Sequence, residues 1–140
     1  MSGLCFEDLS LDLAAERSWT VTEAMIAAFA ELSGDHNPLH VDEAFAQASP
    51  LKGRVAHGML AAGFVSAVIG GELPGAGTIY ISQSLRFLRP VRPGDTVVVQ
   101  VKITGLDPAK AHVTLATRAV IGRKAVLDGE AVVLAPRRGA

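Results

Sequence analysis

The sequence predicts an α+β fold in which a curved antiparallel sheet wraps one central helix. Three observations carry that expectation. The run HGMLAAGFVSAVIGG (57–71) contains no Asp, Glu, Lys or Arg, and a helix apolar nearly all round belongs in the middle of a fold. Everything beyond Pro74 reads as successive strands broken by Pro- and Gly-containing turns. The sheet those strands build has an apolar face that needs a cover, and 57–71 is the element apolar enough to supply it.

Taken in order, residues 13–19 (LAAERSW) are a weak strand candidate. Thr20-Val21-Thr22-Glu23 matches a capping box, in which a Thr hydroxyl and a Glu carboxylate satisfy free amides at a helix start. Met25, Ile26, Phe29 and Leu32 follow at helical spacing, and Gly34 is a natural stop. Asp42 caps a short helix from Glu43 to Ala48, closed by Ser49-Pro50, and the loop 51–56 carries Lys52, Gly53 and Arg54. On the central helix, Ala61, Ala62, Gly63, Ser66 and Ala67 are small enough for other backbone to pack close. Strands are expected at 78–91, 96–106, 111–122 and 125–135, joined by RPGD, DPAK and GRK turns. Consecutive strands with short turns predict an antiparallel meander. Such a sheet leaves long edges, so pairing into a homodimer is expected.

The 140 residues fit one domain, 1–140, with room for a core that needs no disulfide or metal. Apolar residues make up 49% and charged residues 19%, which marks a globular chain and not a disordered one. A formal net charge of −1 points away from nucleic acid and anionic membranes as partners. The lone Cys5 cannot form an internal disulfide, and MSGLCFEDLS lacks the basic and apolar segments of a secretory signal. A cytoplasmic location is expected. The uncharged stretch 55–71 is too short and too interrupted by glycines to span a bilayer, which takes about 20 apolar residues.

The densest chemistry lies in SGDHNPLH (33–40). Asp35 and His40 would stand roughly 17 Å apart on an extended chain, so they cooperate only if the backbone turns between them. Asn37-Pro38 supplies turn chemistry at that point, and Gly34 lets the chain leave the preceding helix. Three readings compete. A metal site has suitable ligand types in His36, His40, Asp35 and Asp42, but Pro38 breaks the helix that would align the histidines. A polar loop, with Asp35 and Asn37 serving only as caps, is the commoner outcome for such a stretch. An acid/base pair sharing a water needs an apolar pocket beside it, which the central helix can provide.

The segment SGDHNPLHVDEAFA, followed after a short loop by VAHGML, resembles the signature of the MaoC-like (R)-specific enoyl-CoA hydratases, also called hydratase 2. LPGAGTIYISQSLRFLRPVRPGDTV and the closing DGEAVVLAP are similar to the short members of that family, so the likeness runs from Thr20 to Pro136. The resemblance implies a hot-dog fold, the sheet-around-helix arrangement inferred above. It implies a hydro-lyase that adds water reversibly, with syn geometry, to trans-2-enoyl-CoA to give (3R)-3-hydroxyacyl-CoA. Asp35 and His40 match the catalytic pair, and Asn37 the asparagine inside the motif. Gly58 matches the glycine whose amide polarises the thioester carbonyl, and Ser66 a position beside the acyl group. His36 falls at a variable position, and His57 is expected to orient the loop. No metal or redox cofactor is implied, since coenzyme A is the carrier of the substrate, and polyhydroxyalkanoate monomer supply is the implied pathway.

Other classes remain in view. A hot-dog thioesterase typically uses a carboxylate on or beside its central helix, and none lies between Val55 and Gly71. A (3R)-hydroxyacyl-carrier-protein dehydratase would want a concentrated basic surface, which the linear sequence does not show. A non-catalytic acyl-CoA-binding subunit would not need Asp35, Asn37, His40 and Gly58 together. Lys52, Arg54, Arg86, Arg89, Arg123 and Lys124 are candidates for the CoA phosphates, although any single surface cation is by default merely solvated.

Overall fold

The computed structural model describes residues 3–139. Its elements are β1 (Ala14–Thr20), α1 (Glu23–Ser33), α2 (Pro38–Val41), α3 (Glu43–Gln47), α4 (Gly58–Gly71), β2 (Ile79–Gln83), β3 (Arg86–Phe87), β4 (Thr96–Asp107), β5 (His112–Ile121) and β6 (Lys124–Leu134). The class is α+β, an antiparallel six-stranded sheet with α4 against one face.

The start of α1 sits two residues later than the capping-box pattern suggests. Thr22 is the N-cap and accepts from the Met25 amide at 3.1 Å. Thr20 instead ends β1, where its hydroxyl pairs with Thr96 Oγ1 at 2.9 Å. Tertiary pairing has claimed the first threonine, leaving the second to cap. At the other end Gly34 takes φ 79°, and its N–H donates to Ala30 O, as a left-handed stop requires.

The meander holds for β4, β5 and β6 but fails for the strand expected at 78–91. That segment divides at Ser84-Leu85 into β2 and β3, and both pair with β6, giving the order β1-β4-β5-β6-β2. Two local features explain the departure. Ser84 bonds Glu130 through backbone and hydroxyl, which bends the strand, and Pro90 and Pro93 lack the N–H a ladder needs. The chain therefore leaves the sheet, and Val91 O accepts from the Ala56 amide just before α4 begins. The RPGD turn then forms as expected, with Asp95 N–H donating to Arg92 O at 3.0 Å. It delivers the chain to β4 on the far side, next to β1.

Alternation along β4 puts Val97, Val99, Val101 and Ile103 on the inner face, where all four are buried. Val113, Leu115 and Ala119 of β5 continue that face. Against it α4 buries Ala61, Phe64, Val65, Val68 and Ile69, and the Phe64 ring stacks on Trp19 of β1 at 4.4 Å. Each fully buried Val or Ile contributes about 1.5–3 kcal/mol. The helix is enclosed on the sheet side only. Met59, Gly63, Ser66 and Gly70 share an exposed face, so the reading of a helix covered all round is met on one side within this chain.

Gly129 shows how tightly the β2–β3 bend seats on β6. A Cβ there would lie 1.9 Å from Ser84 O and 3.3 Å from Gln83 Nε2, whose side chain passes over this glycine to reach Thr117 Oγ1 at 2.9 Å. Gly129→Ala should therefore lower the urea unfolding free energy by about 1–3 kcal/mol, the usual cost of overpacking. An unchanged midpoint would mean that the bend yields freely.

Candidate active site

A run of short side-chain-to-backbone bonds shapes the loop after α1. Ser33 Oγ accepts from the Asp35 amide, Asp35 Oδ1 from the Asn37 amide and Asn37 Oδ1 from the Leu39 amide, each at 3.1 Å. These are the local bonds that Ser, Asp and Asn offer to a turning backbone. Asn37 thereby caps α2, with Pro38 in its first turn, so the expected turn closes as a single helical turn. His40 rides on that turn and faces back toward Asp35.

Two backbone carbonyls then orient two histidines. His40 Nδ1 lies 2.7 Å from Val55 O. A carbonyl only accepts, so Nδ1 carries a proton and the neutral ring presents its Nε2 lone pair outward. His57 Nε2 lies 2.9 Å from Asp35 O and donates to it by the same logic. His57 is only 3% exposed, and its Nδ1 finds no partner among the described residues. Its ring stacks on His40 at 3.9 Å and touches Phe29 of α1 at 4.7 Å. One ligand atom each from Asp35, His40 and His57 fall within 4.8 Å of one another. The pair that an extended chain would hold far apart is thus brought together.

That triplet has metal-binding residue types, with His57 joining from outside the 33–40 stretch. Its ring geometry does not suit a shared metal. The two imidazoles are tilted by only 26°, so their planes do not meet within the ~2.1 Å of a metal–nitrogen bond, where both lone pairs would have to converge. A hydrogen-bonded water, which tolerates broad acceptor angles, suits Asp35 and His40 better.

His57 is also the N-cap of α4, yet its side chain makes no capping bond because it has turned to Asp35. Leu60 N–H donates to His57 O, while the Gly58 and Met59 amides keep their donor capacity at the positive end of the helix dipole. Gly58 opens this helix onto an apolar cavity of about 440 Å³, bounded by His40, Val55, Met59, Phe87, Arg89 and Val126 among others. The Phe87 ring lies where a Gly58 Cβ would sit, 2.7 Å from that position, so the glycine permits the contact.

The remaining candidates divide. Asn37 is near the cluster but spends its carbonyl oxygen on the α2 cap. Ser66 lies eight residues beyond Gly58, about 12 Å along the helix axis, on the exposed face of α4 and away from the Asp35–His40 cluster. His36 points to Glu31 at 3.5 Å and is exposed. Arg54 is held by Glu23 at 2.8 Å and also faces Glu43, which withdraws it from a ligand role. Phe87 had no signal in the sequence, because it meets Gly58 only after the β3 excursion.

The MaoC-like domain model matches residues 9–125. The chain belongs to the MaoC-like family. It is 51% identical to a protein of Rhodospirillum rubrum named (R)-specific enoyl-CoA hydratase, over 96% of this chain and 93% of that one. An R-hydratase from Pseudomonas aeruginosa superposes with a TM-score of 0.91 at 41% identity, covering 97% of this chain and 88% of its own. An (R)-hydratase from Aeromonas caviae, described as involved in PHA biosynthesis, gives 0.90 at 43% identity over 93% and 99%. The MaoC-like chain thus has the hot-dog fold, with the curved sheet around α4 that these neighbours share.

Gly58→Ala in this MaoC-like protein should force Phe87 from its seat, lower the melting temperature by several degrees and be relieved in the double variant with Phe87→Ala. Additive losses in the double variant would show that the two positions do not compete for space.

Proposed function

We propose that the protein is an (R)-specific enoyl-CoA hydratase, a hydro-lyase that reversibly converts trans-2-enoyl-CoA and water to (3R)-3-hydroxyacyl-CoA. One observation carries this reading: the Asp35 carboxylate and the His40 ring converge beside an uncapped helix N-terminus that opens on an apolar cavity. Carbon 3 of the alkene is electrophilic only while the thioester carbonyl can take up charge. Amides at the start of α4, beginning with Gly58, suit that oxygen, and one such donor is worth ~3 kcal/mol in a transition state.

Asp35 and His40 Nε2 both present acceptors, so one water can donate a hydrogen bond to each. As the water oxygen bonds to C3, Asp35 takes a proton, with His40 orienting the water and relaying protons. A proton is returned to C2 on the same face, so hydrogen and hydroxyl add syn and one water is consumed. Coenzyme A leaves with the product as its carrier, and the chemistry calls for no metal or redox cofactor. Ser66 would lie along the acyl group beyond Gly58, and Asn37 would shape the motif from which Asp35 projects.

The reading extends to assembly and setting. The exposed face of α4 and the exposed Ile79 and Ile81 of β2 support a homodimer that covers them. No helix among the described residues is long and apolar enough to cross a membrane, in keeping with a cytoplasmic enzyme. The (3R) product suits polyhydroxyalkanoate monomer supply.

Crotonyl-CoA should lose its conjugated-enoyl absorbance on incubation with the protein and yield (3R)-hydroxybutyryl-CoA by chiral analysis. Asp35→Asn and His40→Ala should each reduce kcat by about 100-fold or more while leaving the circular dichroism spectrum intact. Near-normal turnover in either variant would remove the assigned pair, and thiol release from a saturated acyl-CoA would point to hydrolysis instead. His57→Phe keeps a ring between Phe29 and His40 but loses the bond to Asp35 O. It should cost about tenfold in kcat, near the worth of one hydrogen bond, at little cost in melting temperature.

A further inference from the structure

The mouth of the cavity carries a charge pattern that the linear sequence conceals. β3 runs antiparallel to the start of β6, with Arg86 opposite Asp128 and Phe87 opposite Leu127, and Leu88 N–H donates to Val126 O at 2.9 Å. This register brings Arg89 to the start of β6, where its Nη1 donates to Ala125 O at 2.6 Å. Arg123 lies in the β5–β6 hairpin turn and Lys124 opens β6, immediately before Ala125. Three cations from two segments more than 30 residues apart are therefore brought together at the start of β6, beside the cavity. No carboxylate lies within ion-pair distance of any of them among the described residues, although the chain as a whole carries a net charge of −1.

Arg89 differs from its neighbours in two ways. It lines the same cavity as His40 and Gly58, and it is the only Lys or Arg that does so among the described residues. Its guanidinium spends one N–H on Ala125 O, which sets its orientation and leaves further donors for a ligand. Arg92, three residues on, is by contrast turned back onto Leu51 O and Arg54 O. An unpaired cationic rim calls for a polyanion. An apolar passage from that rim to the water-binding pair calls for an uncharged arm between the anion and the reacting carbon.

We propose that Arg89, supported by Arg123 and Lys124, binds the phosphate groups of the CoA nucleotide and so sets the preference for a CoA thioester over one with a neutral handle. The proposal rests on the hydratase reading for its substrate and sharpens it. The test compares crotonyl-CoA with the crotonyl thioester of N-acetylcysteamine, which carries the same acyl group and no phosphate. Arg89→Ala should raise KM for crotonyl-CoA about tenfold or more, with no matching loss on the neutral thioester, and Arg89→Lys should recover part of the difference. Added salt should raise KM for crotonyl-CoA in the parent protein and less so in the Arg89→Ala, Arg123→Ala, Lys124→Ala triple variant.

Equal losses on both thioesters would assign Arg89 a structural role, and no loss on either would make it a solvated surface residue. Both results overturn the proposal. So does a variant that handles crotonyl-CoA normally yet fails with an acyl-carrier-protein thioester, because the rim would then dock a protein. Titration calorimetry with free CoA separates this inference from the hydratase reading. If the parent protein hydrates neither thioester, about tenfold weaker CoA binding by Arg89→Ala still supports the rim, and unchanged binding rejects it.

Discussion

The site depends on a buried histidine. His57 donates from Nε2 to the Asp35 carbonyl and lays its ring on His40, so one side chain at the head of α4 holds both members of the proposed acid/base pair. Phe29 closes the other side of the ring and ties the cluster to α1. Without this link the loop after α1 would still turn, because its bonds from Ser33 to Asn37 are local. It would turn without reference to the start of α4, the helix whose amides are proposed to face the same substrate.

The arrangement has a cost that supports its function. His57 Nδ1 is buried without a partner among the described residues, and an unmade hydrogen bond of that kind costs about 1–3 kcal/mol. The side chain that stands at the N-cap of α4 gives that helix no cap, a loss of roughly 1 kcal/mol in an ordinary helix. Both deficits leave polar capacity where a reacting thioester and water would need it. The rest of the fold offsets them through the valine-rich sheet packed on the other face of α4. The chain's excursion past Phe87 to Val91 then serves two ends, placing an aromatic ring in the cavity wall against Gly58 and carrying Arg89 to the cavity rim.

Legibility followed the range of the interactions. α4 was visible because an uncharged apolar run has few other uses, and β4, β5 and β6 because alternation and turn residues agree. Asp35 and His40 stood out within eight residues, together with the Asn-Pro turn that joins them. The errors fell where distant partners competed with local ones. Thr20 looked like a helix cap until β4 supplied Thr96 as its neighbour. Residues 78–91 looked like one strand followed by its partner, yet prolines and the Ser84 bend sent the chain to β6 and across α4.

By itself the sequence determined what short-range physics controls. Helical periodicity placed α1 and α4, period-two alternation placed the long strands, and i to i+2 side-chain bonds built the turn that carries Asp35 and His40. Family membership was legible too, since the motif is contiguous and mixed in residue type. Only the tertiary structure decided which groups meet across 15 residues or more: His40 with Val55, His57 with Asp35, Phe87 with Gly58, and Arg89 with the β5–β6 turn. Those meetings follow from strand register and from how α4 lies on the sheet. Register is settled by the summed burial of a whole face, so no local window of residues contains it.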